Sequence, residues 1–142
     1  MAIAYTAHAF ATGGGRDGHT QSDDGVIDLQ LVVPKELGGP GGRGANPEML
    51  FAAGHSACFL GALRFVAGKQ KIQVPADTKV AADVGIGPRE DGTGFGLAVT
   101  LHISLPGMDR TVAEKLVADA DIVCPYSHAT RGNIPRELKV SV

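Results

Sequence analysis

Five stretches of the chain alternate between apolar and polar residues, the period of a strand with one buried face. They are residues 3–10, 26–33, 78–86, 94–105 and 138–142. The Asp23-Asp24-Gly25 turn allows residues 19–22 to pair with the second stretch, and a turn-like segment joins the third to the fourth. The pattern predicts a β-meander at the start of the chain, a hairpin in its middle and a last strand at its end.

A long helix is expected to begin just after a glycine-rich segment. Asn46 is a capping residue, Pro47 suits the first helical position, and Glu48 lies beside the positive end of the helix dipole. The helix is expected to run to Gly68, roughly 30 Å. Because its residues are apolar or small around nearly the whole circumference, we expect a central helix that is covered on most sides.

Two further helices are expected on either side of Cys124. Asp109 can cap the first of them, as can Thr111, which would open a capping box. Pro125 disfavours helical geometry at Cys124 and suits the start of a short second helix. Strands and helices therefore do not alternate along the chain, and the order predicts a single α+β domain over residues 1–142.

Composition and charge narrow the possible functions. Hydrophobic residues make up 44% and charged residues 20% of the chain, ordinary values for a folded globular protein. The net charge of -2, with scattered basic residues, argues against a nucleic-acid partner and against a polybasic membrane patch. The first residues lack a signal-peptide pattern, and His55 and Arg64 interrupt the apolar helix. We therefore expect a cytoplasmic protein with no transmembrane segment.

Two cysteines are the first candidates for chemistry. Cys58 lies within the long helix, and Cys124 lies at the junction before Pro125. A lone helical cysteine is most often a core residue, but two cysteines in a reducing compartment favour redox chemistry or metal binding over a permanent disulfide. Unpaired N–H groups at the start of the short helix favour a thiolate at Cys124, so local sequence makes Cys124 the better activated thiol. Cys58 needs a cation supplied by the tertiary structure.

Arg16 and Glu48 are candidates for activating that thiol. Arg16 lies in a glycine-rich loop, and its guanidinium is always charged and can hold a thiolate and a carboxylate together. Glu48 could supply the carboxylate. Each residue also has a simpler interpretation, Arg16 as a solvated loop residue and Glu48 as a partner of the helix dipole.

A metal site is the alternative use of the same region. His55 and Cys58 are one helical turn apart, and Cys124 and His128 offer a second thiol and imidazole. Two cysteines and two histidines could hold zinc in tetrahedral geometry. Neither spacing is that of a standard zinc finger, so metal binding stays second to redox chemistry.

Each cysteine lies in a distinctive segment: residues 46–59, NPEMLFAAGHSACF, and residues 123–133, VCPYSHATRGN. Together these two segments resemble the organic hydroperoxide resistance protein family, which belongs to the OsmC-like superfamily. The loop around Arg16 also matches, so the resemblance covers essentially the whole chain. His55, where an aromatic residue is expected, and His128, where asparagine is more usual, depart from the family pattern.

The resemblance implies an OsmC-like fold, an intertwined homodimer and a thiol peroxidase that reduces alkyl or lipid hydroperoxides to alcohols. Cys58 resembles the peroxidatic cysteine, Cys124 the resolving cysteine, and Arg16 with Glu48 the pair that activates Cys58. Their disulfide would be recycled by a dithiol, such as the dihydrolipoyl groups of lipoylated proteins, and no cofactor or metal is expected. A redox sensor that uses the same cysteines without multiple turnover is the alternative. Apolar residues are expected to line a pocket or to pack in the core: Met49, Leu50, Phe51, Phe59 and Leu63.

Helix geometry predicts that the site is composite. In one continuous helix Glu48 and Cys58 are about 15 Å apart along the axis, so one arginine head cannot contact both. Two such helices packed antiparallel across a twofold axis would bring Glu48 of one chain towards Cys58 of the other and would cover the apolar helix. A kink near Gly54 is the competing explanation.

Overall fold

The structure is a computed structural model that describes every residue from Met1 to Val142. The chain forms two compact units, residues 1–50 and residues 51–142, and each is described by itself. The expectation of one domain spanning residues 1–142 stays a prediction.

The first unit contains a three-stranded antiparallel sheet in the order β1-β2-β3. Its strands are β1 (Ala9–Thr12), β2 (His19–Ser22) and β3 (Asp28–Gln30), and the β-meander is confirmed. The first strand begins later than the predicted residues 3–10. Ile3, inside the expected strand, is 67% exposed, so the early alternation does not mark a buried face. A short 3-10 helix, Lys35–Leu37, precedes the glycine-rich segment.

The long helix α1 runs from Pro47 to Gln70 without a break at Gly54. The capping residue acts as predicted, because Asn46 Oδ1 accepts a hydrogen bond from the Met49 N–H at 2.8 Å. The helix passes through Gly68 and ends two residues later than expected. The helix is therefore continuous through Gly54, the residue of the competing explanation.

Only one face of α1 is buried within the chain. The buried residues recur every three or four positions: His55, Phe59, Ala62, Leu63, Val66 and Ala67. On other faces Met49 and Phe65 are each more than half exposed. The expectation of a helix covered on most sides is thus wrong for the single chain. By length and mean hydropathy α1 could also cross a membrane, a test that core helices of soluble proteins pass too.

The second unit contains a sheet in the order β4-β5-β6. The hairpin of β4 (Lys79–Pro88) and β5 (Phe95–Ser104) is antiparallel, as predicted. The last strand, β6 (Arg136–Ser141), pairs parallel to β5, which the alternation of residues could not indicate. A parallel pair needs a crossover, and it contains the helices α2 (Arg110–Val123) and α3 (Pro125–Thr130).

The cap of α2 distinguishes between the two predicted starts. Asp109 is the N-cap, and its carboxylate accepts a hydrogen bond from the Val112 N–H at 3.0 Å. Thr111 lies inside the helix, and Glu114 pairs with Arg110 instead of closing a capping box. The start at Asp109 is therefore confirmed and the capping box is wrong.

The core of the second unit lies between the buried face of α1, the sheet and α2. It contains fully or almost fully buried side chains from all of these elements, including Phe59, Leu63, Leu101, Ile103, Leu116 and Cys124. The sheet-and-helix organisation confirms the α+β class. It also places one of the two cysteines in the core.

Candidate active site

The structure brings the two cysteines together from positions 66 residues apart in sequence. Their Sγ atoms are 3.5 Å apart, and both are free thiols. Cys58 is partly exposed on α1, whereas Cys124 is fully buried. A disulfide has an S–S distance of about 2.05 Å, so an approach of roughly 1.5 Å would join them. The pair is therefore placed for reversible disulfide chemistry.

Cys124 occupies the junction that its sequence predicts. It is at once the C-cap of α2 and the N-cap of α3, with extended backbone geometry before Pro125. Its side chain, however, makes no capping hydrogen bond to α3. The Cys124 thiol instead donates towards Cys58 Sγ.

The environment of Cys58 contains opposing influences on its pKa. Burial raises the pKa of the Cys58 thiol, the hydrogen bond from the Tyr126 backbone N–H lowers it, and the neighbouring Cys124 raises it. The net pKa lies above the ordinary value of 9.0. An N–H group at the start of α3 thus donates to the Cys58 thiol, contrary to the expectation that it would stabilise a thiolate at Cys124. Within this unit Cys58 lacks the positive charge that a reactive thiolate needs at neutral pH.

Arg16 and Glu48 form an ion pair in the first unit. Arg16 Nη2 donates to Glu48 Oε2 at 2.5 Å, and the carboxylate side chain is only 12% exposed. Arg16 is therefore more than a solvated loop residue, and Glu48 does more than complement the helix dipole. The Glu48 carboxylate thus fixes the orientation of the Arg16 guanidinium.

Glycines fix the loop that carries Arg16. Gly13 and Gly15 adopt φ angles of 70° and 74°, which favour glycine. A Cβ added to Gly18 would lie 2.0 Å from the main-chain oxygen of Thr12, so no larger residue fits there without movement. The glycine-rich sequence thus holds the ends of the loop together and leaves Arg16 at its tip.

The four candidate zinc ligands do not come together in one cluster. No group of three or more His, Cys, Asp or Glu side chains is placed to hold a metal ion. His55 is fully buried, its Nε2 lies 3.5 Å from Ser127 Oγ, and its Nδ1 has no hydrogen-bond partner. Burial holds the pKa of His55 below 6.5, with opposite effects from the charges of Arg136 and Asp121. The imidazole packs against the rings of Phe51 and Tyr126, as the expected aromatic residue would.

A mainly apolar cavity of about 350 Å³ lies beside α3. Its walls come from α1, β5, α3 and the loop after α3: Phe51, Leu97, Tyr126, Ala129, Thr130, Asn133 and Ile134. Among the residues expected to line a pocket, Phe51 does so, whereas Phe59 and Leu63 are fully buried in the core. Sequence reasoning missed Tyr126, whose ring lines the cavity and whose N–H bonds to Cys58. Its position two residues after Cys124 was the available signal.

Comparison with known proteins agrees with the fold. The family model described as OsmC-like protein matches residues 39–139. The organic hydroperoxide resistance protein of Xanthomonas axonopodis pv. citri is 52% identical over 98% of this chain and 96% of its own. Organic hydroperoxide resistance protein OhrB of Bacillus subtilis is 44% identical, with coverage of 96% and 97%.

Solved structures give the same result. A crystal structure of an organic hydroperoxide resistance protein from Elizabethkingia anophelis superposes with a TM-score of 0.92 at 52% identity and covers 99% of both chains. The OsmC-like fold predicted from the sequence is therefore confirmed. The chain belongs to the organic hydroperoxide resistance protein family, within the OsmC-like proteins.

Proposed function

We propose that this protein is a thiol peroxidase that reduces organic hydroperoxides with Cys58 and Cys124. The observation that carries the proposal is the pair of free thiols with sulfurs 3.5 Å apart, one partly exposed and one buried. The partly exposed thiol can meet an oxidant, and the buried thiol can meet only its neighbour. The names of the relatives from Xanthomonas and Bacillus support organic hydroperoxides as the substrate class.

The reaction follows from the chemistry of a thiol pair. The Cys58 thiolate attacks the terminal peroxide oxygen, the O–O bond breaks, and the leaving alkoxide takes a proton to become an alcohol. Cys124 sulfur then attacks the Cys58 sulfenic acid, the S–O bond breaks, and water leaves with the thiol proton. A dithiol opens the resulting disulfide by two exchange steps and becomes oxidised itself. We propose that dihydrolipoyl groups of lipoylated proteins are the reductant and that the reaction takes place in the cytoplasm.

The apolar cavity supports an alkyl or lipid hydroperoxide as substrate. Its wall offers the rings of Phe51 and Tyr126 and the side chains of Leu97 and Ile134 to an alkyl group. Hydrogen peroxide has no apolar part with which to fill such a space. We propose that binding in this cavity favours organic peroxides.

The exposed faces of α1 support a homodimer. An apolar helix of 24 residues with only one buried face leaves side chains such as Met49 and Phe65 in water. A second copy related by a twofold axis would cover them. We propose that the same arrangement brings the Arg16–Glu48 pair of one chain to Cys58 of the other, where the guanidinium stabilises the thiolate and the charge on the leaving oxygen.

Steady-state kinetics test the proposed function. The protein is expected to consume cumene hydroperoxide over many turnovers with dihydrolipoamide, and much more slowly with a monothiol. Metal analysis of the same active sample is the control for the zinc alternative. A single slow oxidation without turnover would instead identify a redox sensor.

Replacing Arg16 should weaken the activation of Cys58. In Arg16→Ala the fold is retained because the residue lies in a loop, but the pKa of Cys58 rises and its oxidation slows on the order of 100-fold. Arg16→Lys should recover little, because an ammonium lacks the fork that engages carboxylate and thiolate together. Thiol titration and single-turnover rates measure both effects, with Arg43→Ala, an exposed arginine of the same unit, as control. Unchanged titration and rate in Arg16→Ala would assign Arg16 no part in the reaction.

A further inference from the structure

Asp121, near the end of α2, is contacted by the segment that follows Cys124. Arg136, the first residue of β6, forms an ion pair with its carboxylate. Arg131 donates to its Oδ2 at 3.1 Å and to its main-chain oxygen at 2.5 Å. Burial raises the pKa of Asp121, but hydrogen bonds from Ser127, Arg136 and Arg131 outweigh it and hold this pKa below 3.8. Asp121 is therefore ionised at neutral pH, and the side chains of Arg131 and Arg136 converge on its carboxylate.

The contacts around Asp121 hold the short helix α3 in place at two points, its middle and its end. Ser127, in the middle of α3, is fully buried, its Oγ lies 3.5 Å from His55 Nε2, and it helps to lower the pKa of Asp121. Arg131 is the C-cap of α3. A helix of six residues is not stable by itself, so its position depends on such contacts. Because α3 begins directly after Cys124, these contacts also determine where the Cys124 sulfur lies.

We propose that Asp121 is a positioning residue for the step in which Cys124 closes the disulfide, an inference that rests on the function proposed above. In that step the S–S bond forms, the S–O bond of the Cys58 sulfenic acid breaks, and the oxygen leaves as water with the Cys124 thiol proton. The sulfurs must approach from 3.5 Å to bonding distance, and a misplacement of about 1 Å can slow such a step roughly 100-fold. Oxidation of Cys58 by a diffusing peroxide needs no movement of Cys124, and α3 affects that step only through the Tyr126 N–H and the wall of the cavity.

The Asp121→Asn variant keeps the shape of the side chain but removes its charge. Rapid quenching of this variant separates the two half-reactions, which are the oxidation of Cys58 and the closure of the disulfide. Mass spectrometry of quenched samples measures the Cys58 sulfenic acid and the disulfide. Disulfide closure is expected to slow about tenfold or more, while Cys58 oxidation changes less than about threefold. Asp121→Glu, which restores the charge, should recover part of the closure rate. Asp119→Asn, an ion-paired aspartate on the same helix, should leave both rates unchanged.

The outcomes are distinct. Closure at the unaltered rate in folded Asp121→Asn, or an equal slowing of both half-reactions, would overturn the positioning role. If Asp121→Asn does not fold, Arg131→Lys decides, because it keeps the charge at a partly exposed position and loses the two-point contact. Closure should then slow by a few-fold, and an unchanged closure rate overturns the inference. Absence of any peroxide-dependent oxidation of Cys58 in the unsubstituted protein, as sulfenic acid or as disulfide, would overturn the proposed function itself.

Discussion

Cys58→Ser is expected to reduce no organic hydroperoxide beyond the rate of buffer alone, whereas Cys124→Ser should still consume one equivalent per chain. The reason is the order of the chemistry: Cys58 is the partly exposed thiol that meets the oxidant, and the buried Cys124 meets only Cys58. Without Cys124 the sulfenic acid has no thiol at 3.5 Å with which to condense, so it accumulates. Stoichiometric peroxide consumption and the mass of the Cys58 peptide measure both results.

The control for this pair of variants concerns the core. Cys124 is fully buried, so serine places a hydroxyl among apolar side chains, at a cost of about 1–3 kcal/mol in folding free energy. Cys124→Ala avoids the hydroxyl and should give the same single equivalent. If Cys124→Ser lost the first turnover while Cys58→Ser kept it, the roles of the two cysteines would be reversed.

The sequence was informative about the fold wherever a local signal was strong. Asn46 and Pro47 predicted the start of α1, and alternation predicted the hairpin of β4 and β5, because caps and strand periods act over a few residues. The parallel pairing of β6 was not predictable, because it depends on where the crossover returns the chain. The exposure of Phe65 was not predictable either, because an apolar helix has the same sequence pattern whether its own chain or a partner covers it.

The candidate site was also predictable only in part. The types and positions of Cys58 and Cys124 suggested redox chemistry, but only the fold shows which thiol receives the Tyr126 N–H. Local reasoning gave that bond to Cys124, the nearer residue in sequence. Asp121 carried no sequence signal, because its partners are identified only once the crossover has folded.

Mixing inactive variants is expected to restore activity if the site is composite. A Glu48→Ala chain still supplies Cys58, and a Cys58→Ser chain still supplies the Arg16–Glu48 ion pair. After the two are unfolded and refolded together in equal amounts, half of the dimers should be mixed, and each should contain one intact site of two. The mixture should therefore recover about one quarter of the unsubstituted activity.

The ion pair within one chain supplies the matched control. Because Arg16 and Glu48 contact each other in the same chain, a mixture of Arg16→Ala and Glu48→Ala leaves every pair broken and should recover nothing. A site contained in one chain predicts no recovery in the first mixture either, since each chain lacks one of its own residues. Recovery in both mixtures would instead mean that Arg16 and Glu48 act in different chains. Recovery in the first mixture alone requires Cys58 to receive an intact Arg16–Glu48 pair from its partner.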